Sequence, residues 1–260
     1  MTIFKETTSF IHYSDLLKNL IIRDIKVRYK RSVLGFLWVM LNPLLMMFIL
    51  NIIFSELFKF SAKNYTAYLI TGIVFWNFYS QSTSIAVSSF VNNANLIKKI
   101  YLPKSLFPLS VVCSAMVNLI FSLVPLFFII FLSKANISPY IVLLPVIIML
   151  SIIFVYGVSL IIATFMVFFH DIKQIYEVVV FALMYMTPVF YPIDIVPEKY
   201  RFIVEINPLT HFINLFRYTI YEETTLSYDK LLTVTIISLF MCLLGLVIYS
   251  RFKDKIVYEL

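Results

Sequence analysis

Glycine is nearly missing from this sequence of 260 residues: there are four, at positions 35, 72, 157 and 245. The phosphate-cradling loop of an ATPase needs two glycines five residues apart followed by Lys, and no such loop can be assembled here. Helix packing that relies on glycine is, on the same count, not expected; small residues such as serine must take that part. Cysteine is as scarce. Cys113 and Cys242 both fall inside apolar runs, where a free thiol behaves as a small hydrophobe, so no disulfide framework or cysteine metal site is expected. The three histidines, His12, His170 and His211, are isolated in sequence, and no metal is assigned to them. Charge is thin too, at 13% against about 25% in soluble proteins.

What the chain has in excess is apolar: 61% hydrophobic residues, 17% of the total being Phe, Trp or Tyr. That balance reads as an all-α integral membrane protein. A hydrocarbon core about 30 Å thick needs roughly 20 apolar helical residues, and six runs qualify, at about 33–54, 66–90, 106–132, 140–169, 175–191 and 232–249. The first begins after thirty residues and exceeds the roughly 7–15 residues of a signal-peptide core, so it reads as a retained span. Three regions follow: 1–32, a cytoplasmic N-terminus with an amphipathic interface helix; 33–250, a six-span transmembrane domain; and 251–260, a cytoplasmic tail.

The net charge of +7 is clustered. Arg23, Lys26, Arg28, Lys30 and Arg31 end abruptly against the first apolar run. Placing both termini in the cytoplasm puts two-thirds of the 21 cations on that side, as the positive-inside bias requires. Leu16, Leu17, Leu20, Ile21 and Ile25 recur at helical spacing with Lys18, Arg23, Lys26 and Lys30 largely elsewhere, which predicts a helix lying in the membrane interface with its apolar side down. The cations are then either a topogenic anchor or a receiver for an anionic head group.

Ser80, Ser84 and Ser88 give the second run a small-residue face, and Asn77 and Gln81 beside them imply a helix interface or a polar pore. The stretch between the fifth and sixth runs is too polar to span and too apolar to be a free loop. It predicts two short helices dipping back into the outer leaflet, one opened by Pro197, the other capped by Asn207 with Pro208 as its first residue. Non-helical backbone at that depth is tolerated only against protein or a water-filled cavity, which suggests a gate. Ion-coupled carriers keep titratable groups inside their spans, and here only Glu177 qualifies. The outer acids Asp194, Glu198, Glu205, Glu222, Glu223 and Asp229 show neither paired-carboxylate nor metal-ligand spacing. What remains is a six-span pore or pore-half that needs an outside source of energy, with an unpartnered carrier or membrane enzyme as the weaker alternative.

Three stretches taken together, "RDIKVRYKRSVLGFLWVMLNPLL" (23–45), "NANLIKKIYLPKSLFPLS" (93–110) and "TPVFYPIDIVPEKYRFIVEINPLTHFINLFR" (187–217), resemble the permease subunits of ABC exporters of lipid-linked polysaccharides, the O-antigen and teichoic-acid transporters. The likeness runs from about residue 14 to 250, and its alternative is a permease of the same general class that exports a drug or small lipid. The resemblance implies a type-2 exporter permease with six spans, acting as a homodimer with two copies of a separate subunit that binds ATP and Mg; this chain itself would carry no cofactor and no catalytic residue. It further implies that Asn93, Asn95, Leu96, Ile97, Lys98, Lys99, Tyr101 and Lys104 belong to a coupling segment resting on the ATPase. The five cations would receive the lipid pyrophosphate, Arg with a fork and Lys as a point charge. Phe36, Trp38, Pro188, Phe190, Tyr191, Pro208 and Phe212 would be channel or gate residues, and the membrane would be the bacterial cytoplasmic one.

Overall fold

The structure is a computed structural model that describes residues 13–30, 32–57, 64–100, 102–221 and 228–260. Among these residues every regular element is helical. Helix α1 (Ser14–Tyr29) leads through a tight turn at Gly35 into α2 (Trp38–Asn51). Gly35 has φ +52° and accepts its place in that turn because it has no Cβ; its N–H donates to Ser32 Oγ at 3.1 Å. Next come α3 (Tyr65–Ala86), the short α4 (Ser89–Asn92) and α5 (Ala94–Lys99), then α6 (Leu106–Leu132), α7 (Leu144–Phe168) and α8 (Ile172–Met186). Helices α9 (Glu198–Ile206) and α10 (Pro208–Ile220) follow, then α11 (Tyr228–Phe252) and a final turn, α12 (Lys255–Glu259).

Among the described residues, four segments combine the length and apolarity needed to cross a membrane: Gly35–Phe54, Leu106–Leu132, Pro139–Phe168 and Tyr228–Phe252. Helix α3 has the length, but Asn77, Ser80, Gln81, Ser82, Thr83 and Ser84 interrupt its apolar sequence. The fifth expected run stops early. Thr187 is extended, as a residue before proline is pushed to be, so α8 ends at Met186 and its 15 residues reach only about 22 Å.

Helix α3 lies at the centre, packed against α2, α6, α7, α8 and α10. Phe75 on it stacks near Phe212 of α10, which in turn meets Phe154 of α7 with ring centroids 4.7 Å apart. Such aromatic pairs contribute about 0.5–1.5 kcal/mol beyond the area they bury. Every residue of α3 from Leu69 to Ala86 is buried except a single stripe, Asn77, Ser80, Gln81, Ser84 and Ile85.

The scarcity of glycine misleads about packing. Helices α7 and α11 form the most extensive helix pair, and Gly157 and Gly245 meet where they cross. A Cβ on Gly157 would strike the backbone of Met241 and Cys242, and one on Gly245 would strike Gly157. Two glycines suffice because one crossing needs only one small residue from each helix.

At one end of the bundle, Leu20, Phe90, Ile97, Phe107, Tyr249 and Ile256 form one apolar cluster, so α1, α5 and α12 converge although they are far apart in sequence. The opposite end is closed by α9 and α10. Helix α10 starts as its sequence predicts: Asn207 Oδ1 accepts from Leu209 N at 3.0 Å and Pro208 is the first helical residue. Asn207 Nδ2 also donates to Thr187 Oγ1 at 2.8 Å and to the Met186 carbonyl at 3.3 Å, tying the end of α8 to the start of α10. Asn207→Ala is expected to lower stability by about 1–2 kcal/mol, seen as a fall in the detergent melting temperature. Asn207→Asp, which keeps the cap and loses both donated bonds, should fall between the two.

Candidate functional site

Helix α1 is amphipathic, and its inner face meets protein. Leu16, Leu17, Leu20, Ile21, Asp24, Ile25, Arg28 and Tyr29 are covered, while Lys18, Arg23, Lys26 and Lys30 are exposed. The cover is α6: Ser110 Oγ donates to Asp24 Oδ2 at 3.3 Å and Ser114 Oγ to the Ile21 carbonyl at 3.5 Å. The apolar side therefore has α6 beneath it, and Ile22 and Val27 are the large apolar residues of α1 left at the surface.

The four described cations of this set do not form one cluster. Arg23 is engaged, with Nη2 2.8 Å from Asp24 Oδ1 and Nη1 donating to Asn93 Oδ1 at 2.9 Å. Lys26 and Lys30 project outward. Arg28 turns inward, its Nη1 buried without a hydrogen-bond partner. Arg31 lies outside the described residues.

The expected coupling segment is α5 with its flanks. Asn95, Lys98, Lys99 and Ile100 are exposed, Ile100 by half its surface. Leu96 is half-buried, and Ile97 points into the chain itself as part of the end cluster. Asn93 anchors the segment, accepting from Arg23 and donating to the Ser89 carbonyl at 2.8 Å. Lys104 Nζ donates to the Lys253 carbonyl at 2.6 Å, so it ties the C-terminal turn to the loop. Tyr101 lies outside the described residues. The surface on offer is thus small, cationic and tipped by one isoleucine.

The expected channel and gate residues separate. Trp38 is exposed, and Phe36 packs edge-on between Tyr29 and Phe121. Phe212 is 0% exposed and belongs to the aromatic core, set against Phe75 of α3 and Phe154 of α7. Phe190 is buried as well, stacked on Phe54 and edge-on to Tyr185. Tyr191 is partly covered and donates to the Tyr185 carbonyl at 2.6 Å. Pro188 is buried, and its carbonyl joins a bolt centred on Arg217. Pro208 serves as the first residue of α10.

Arg217 is 1% exposed. Its Nη1 donates to the Pro188 carbonyl at 2.8 Å, and Nη2 to the Val189 and Tyr68 carbonyls at 2.9 and 3.2 Å. The guanidinium carbon stands 3.4 Å from the centre of the Tyr68 ring. Gly72 leaves room for it, and among the described residues no carboxylate pairs with it.

Between α2, α3 and α6 lies a cavity of about 370 Å³. Its charged lining residue is Arg28, beside Tyr29 and Trp38, and α2, α3 and α6 contribute Asn42, Asn77, Ser80, Gln81, Asn118 and Ser122. Asn118 Nδ2 donates to Gln81 Oε1 at 2.7 Å, and Asn77 Nδ2 to Asn42 Oδ1 at 3.4 Å. Asn118 is 6% exposed, and its Oδ1 has no partner.

Residues 15–221 match the ABC-2 type transporter family. The chain belongs to that family. It is similar to the O-antigen export system permease protein RfbA of Klebsiella pneumoniae, 34% identical over 244 residues that cover 93% of each chain. It is also 25% identical over 262 residues to the capsule polysaccharide export inner-membrane protein BexB of Haemophilus influenzae, covering 98% of this chain and 97% of that one. A third relative, the capsule polysaccharide export inner-membrane protein CtrC of Neisseria meningitidis serogroup A, is 23% identical over 241 residues, or 91% of each. Membership makes the apolar helices those of a multi-pass membrane protein and the chain a transporter permease.

Two features of this ABC-2 permease escape a reading by composition. Ser110, Ser114, Asn118 and Ser122 recur every fourth residue along α6, so they share one side, and all four meet α1, α2 or α3. The same step of four is conspicuous at Ser80, Ser84 and Ser88, whereas in α6 the polar residues are spread through a more apolar run. Arg217 sits in "HFINLFRYTI", where a lone cation inside an apolar helix is the signal.

Proposed function

We propose that this chain is the channel-forming membrane subunit of an ATP-driven exporter that carries a lipid-linked polysaccharide, of the undecaprenyl-pyrophosphate type, across the bacterial cytoplasmic membrane. The polymer is of the O-antigen, capsule or teichoic-acid kind. The observation that carries this reading is similarity along nearly the whole chain to permeases named for O-antigen and capsule export. The chain works as a homodimer with two ATP-binding subunits that bind ATP and Mg, since four scattered glycines make no phosphate loop. The exposed apolar sides of α2 and α8, with Phe48, Ile49, Val178 and Phe181, offer surface for lipid and a second copy. Six spans place both termini in the cytoplasm with α1, α5 and α12, and α9 and α10 dip into the outer leaflet as gate helices. The lipid head group approaches along α1, where Lys26, Lys30 and Arg31 add attraction to Arg23 and Arg28.

The geometry favours α5 as the ATPase contact. It is short, exposed on one side, and joined to the cationic helix by the Arg23–Asn93 hydrogen bond. The test leaves Ile97 alone, because changing that core residue would disturb the fold. Affinity purification from native membranes in mild detergent is expected to bring a roughly equimolar ATP-binding subunit with the wild-type chain. The double variant Lys98→Glu with Lys99→Glu, altering only exposed side chains, should lose at least about nine-tenths of it, as reversal of rim charges slows association and adds repulsion. A wild-type chain that emerges without an ATP-binding subunit, while its own dimer survives, overturns the reading.

A further inference from the structure

Three helices of largely apolar sequence turn their amides toward one space, the cavity between α2, α3 and α6. A packing interface would leave little to satisfy. Here two amide–amide bonds use only part of the capacity of Asn42, Asn77, Gln81 and Asn118. Asn118 Oδ1 and Arg28 Nη1 remain buried without partners, and each such orphan costs about 1–3 kcal/mol unless something satisfies it. Arg28 is the one charged residue in the lining and meets no carboxylate there. The volume of about 370 Å³ falls within the range of about 300–1,000 Å³ usual for small-molecule sites.

The donor set defines the ligand. One guanidinium outside any ion pair among the described residues suits a phosphate oxygen. Neutral amides offer donors and acceptors together, which suits ring hydroxyls. Trp38 and Tyr29, also in the lining, add flat aromatic faces. Asn118 stands twelve residues into α6, about 18 Å along its axis, so the site is set back from the exposed α5 and is reached past α1.

We propose that this cavity binds the phosphorylated first sugar of the lipid-linked substrate, with Arg28 on the phosphate and Asn118, Gln81 and Asn77 on the sugar hydroxyls. The inference rests on the function proposed above and sharpens it: of the cations on α1, one belongs to a built site, and the permease reads the reducing-end sugar while remaining indifferent to the length of the polymer behind it.

The experiment uses the permease with its ATP-binding subunit in lipid nanodiscs and two probes, farnesyl pyrophosphate and the same lipid carrying one glucose or one N-acetylglucosamine. Binding of at least one sugar-bearing probe is expected to be about tenfold tighter than that of the plain probe, the worth of one or two added hydrogen bonds. Asn118→Leu should remove that advantage and leave the plain probe unchanged. Arg28→Gln should weaken both probes by about tenfold or more, whereas Lys18→Gln, on the outer side of α1, should change neither. Equal binding of plain and sugar-bearing probes to the wild-type complex overturns the proposal without recourse to any variant. So does an Asn118→Leu protein that keeps the advantage, which would make the cavity a water-filled packing defect. In both cases continued polysaccharide export would leave the transporter reading standing; wild-type complex that binds none of the probes and shows no stimulated ATPase activity overturns both.

Discussion

Arg217→Met is expected to lower the melting temperature of the purified protein by roughly 8–16 °C, which corresponds to about 4 kcal/mol at about 2–4 °C per kcal/mol for a chain of this size. The Val189 carbonyl loses its hydrogen bond to Arg217, at a cost of about 1–3 kcal/mol for a buried acceptor. The Tyr68 ring loses a cation 3.4 Å from its centre, and a desolvated contact of that kind is worth about 2 kcal/mol. The other two carbonyls suffer less, since Pro188 still accepts from the Tyr68 hydroxyl and Tyr68 from Thr71. An opposing effect sets a clear alternative: Met removes a charge that was costly to bury. A melting temperature that stays level or rises would mean that desolvating the guanidinium costs as much as its bonds return. Arg217→Lys should recover about half the loss, because an ammonium keeps the charge but cannot fork across Pro188 and Val189.

Gly157→Ala should cost about 3 kcal/mol, the upper end of the overpacking range, because what the new methyl meets is the Met241 backbone rather than a side chain that can swing away. Gly245→Ala should cost a similar amount, its Cβ meeting the backbone of Gly157. The diagnostic result is the pair. Once the first methyl has parted α7 from α11 the second finds space, so the double variant should fall clearly short of the sum of the singles. Additive losses in thermal unfolding would show that the helices yield locally and do not move as rods.

The parts of the fold that were legible in the sequence share a cause: their signals are local. Long apolar runs mark α6, α7 and α11, and the Asn-Pro step at 207–208 marks the start of α10 because a cap needs only its next two residues. The end of α8 was readable from the Thr-Pro step at 187–188, yet the apolar residues Val189, Phe190 and Tyr191 beyond it extended the expected run. Packing across helices was less legible. Composition counts glycines, but whether Gly157 faces Gly245 depends on how two helices cross. Periodicity shows that Phe212 and Phe216 share a face of α10 and is silent on whether that face meets a lumen or Phe75. The candidate site divides in the same way: the cations of α1 announce themselves as a cluster, whereas the inward turn of Arg28 and the engagement of Arg23 by Asn93 depend on where α6 and α5 lie.

The apolar cluster that unites Leu20, Ile97 and Ile256 has a consequence in time. Ribosomes deliver these residues first, midway and nearly last, so the platform beneath α5 stays incomplete until α12 has been synthesised and Lys104 has met the Lys253 carbonyl. A partner that recognises the finished platform thereby binds only chains in which α12 has been made and docked. The same geometry makes α12 a poor place for a rigid insertion, since Ile256 is fully buried.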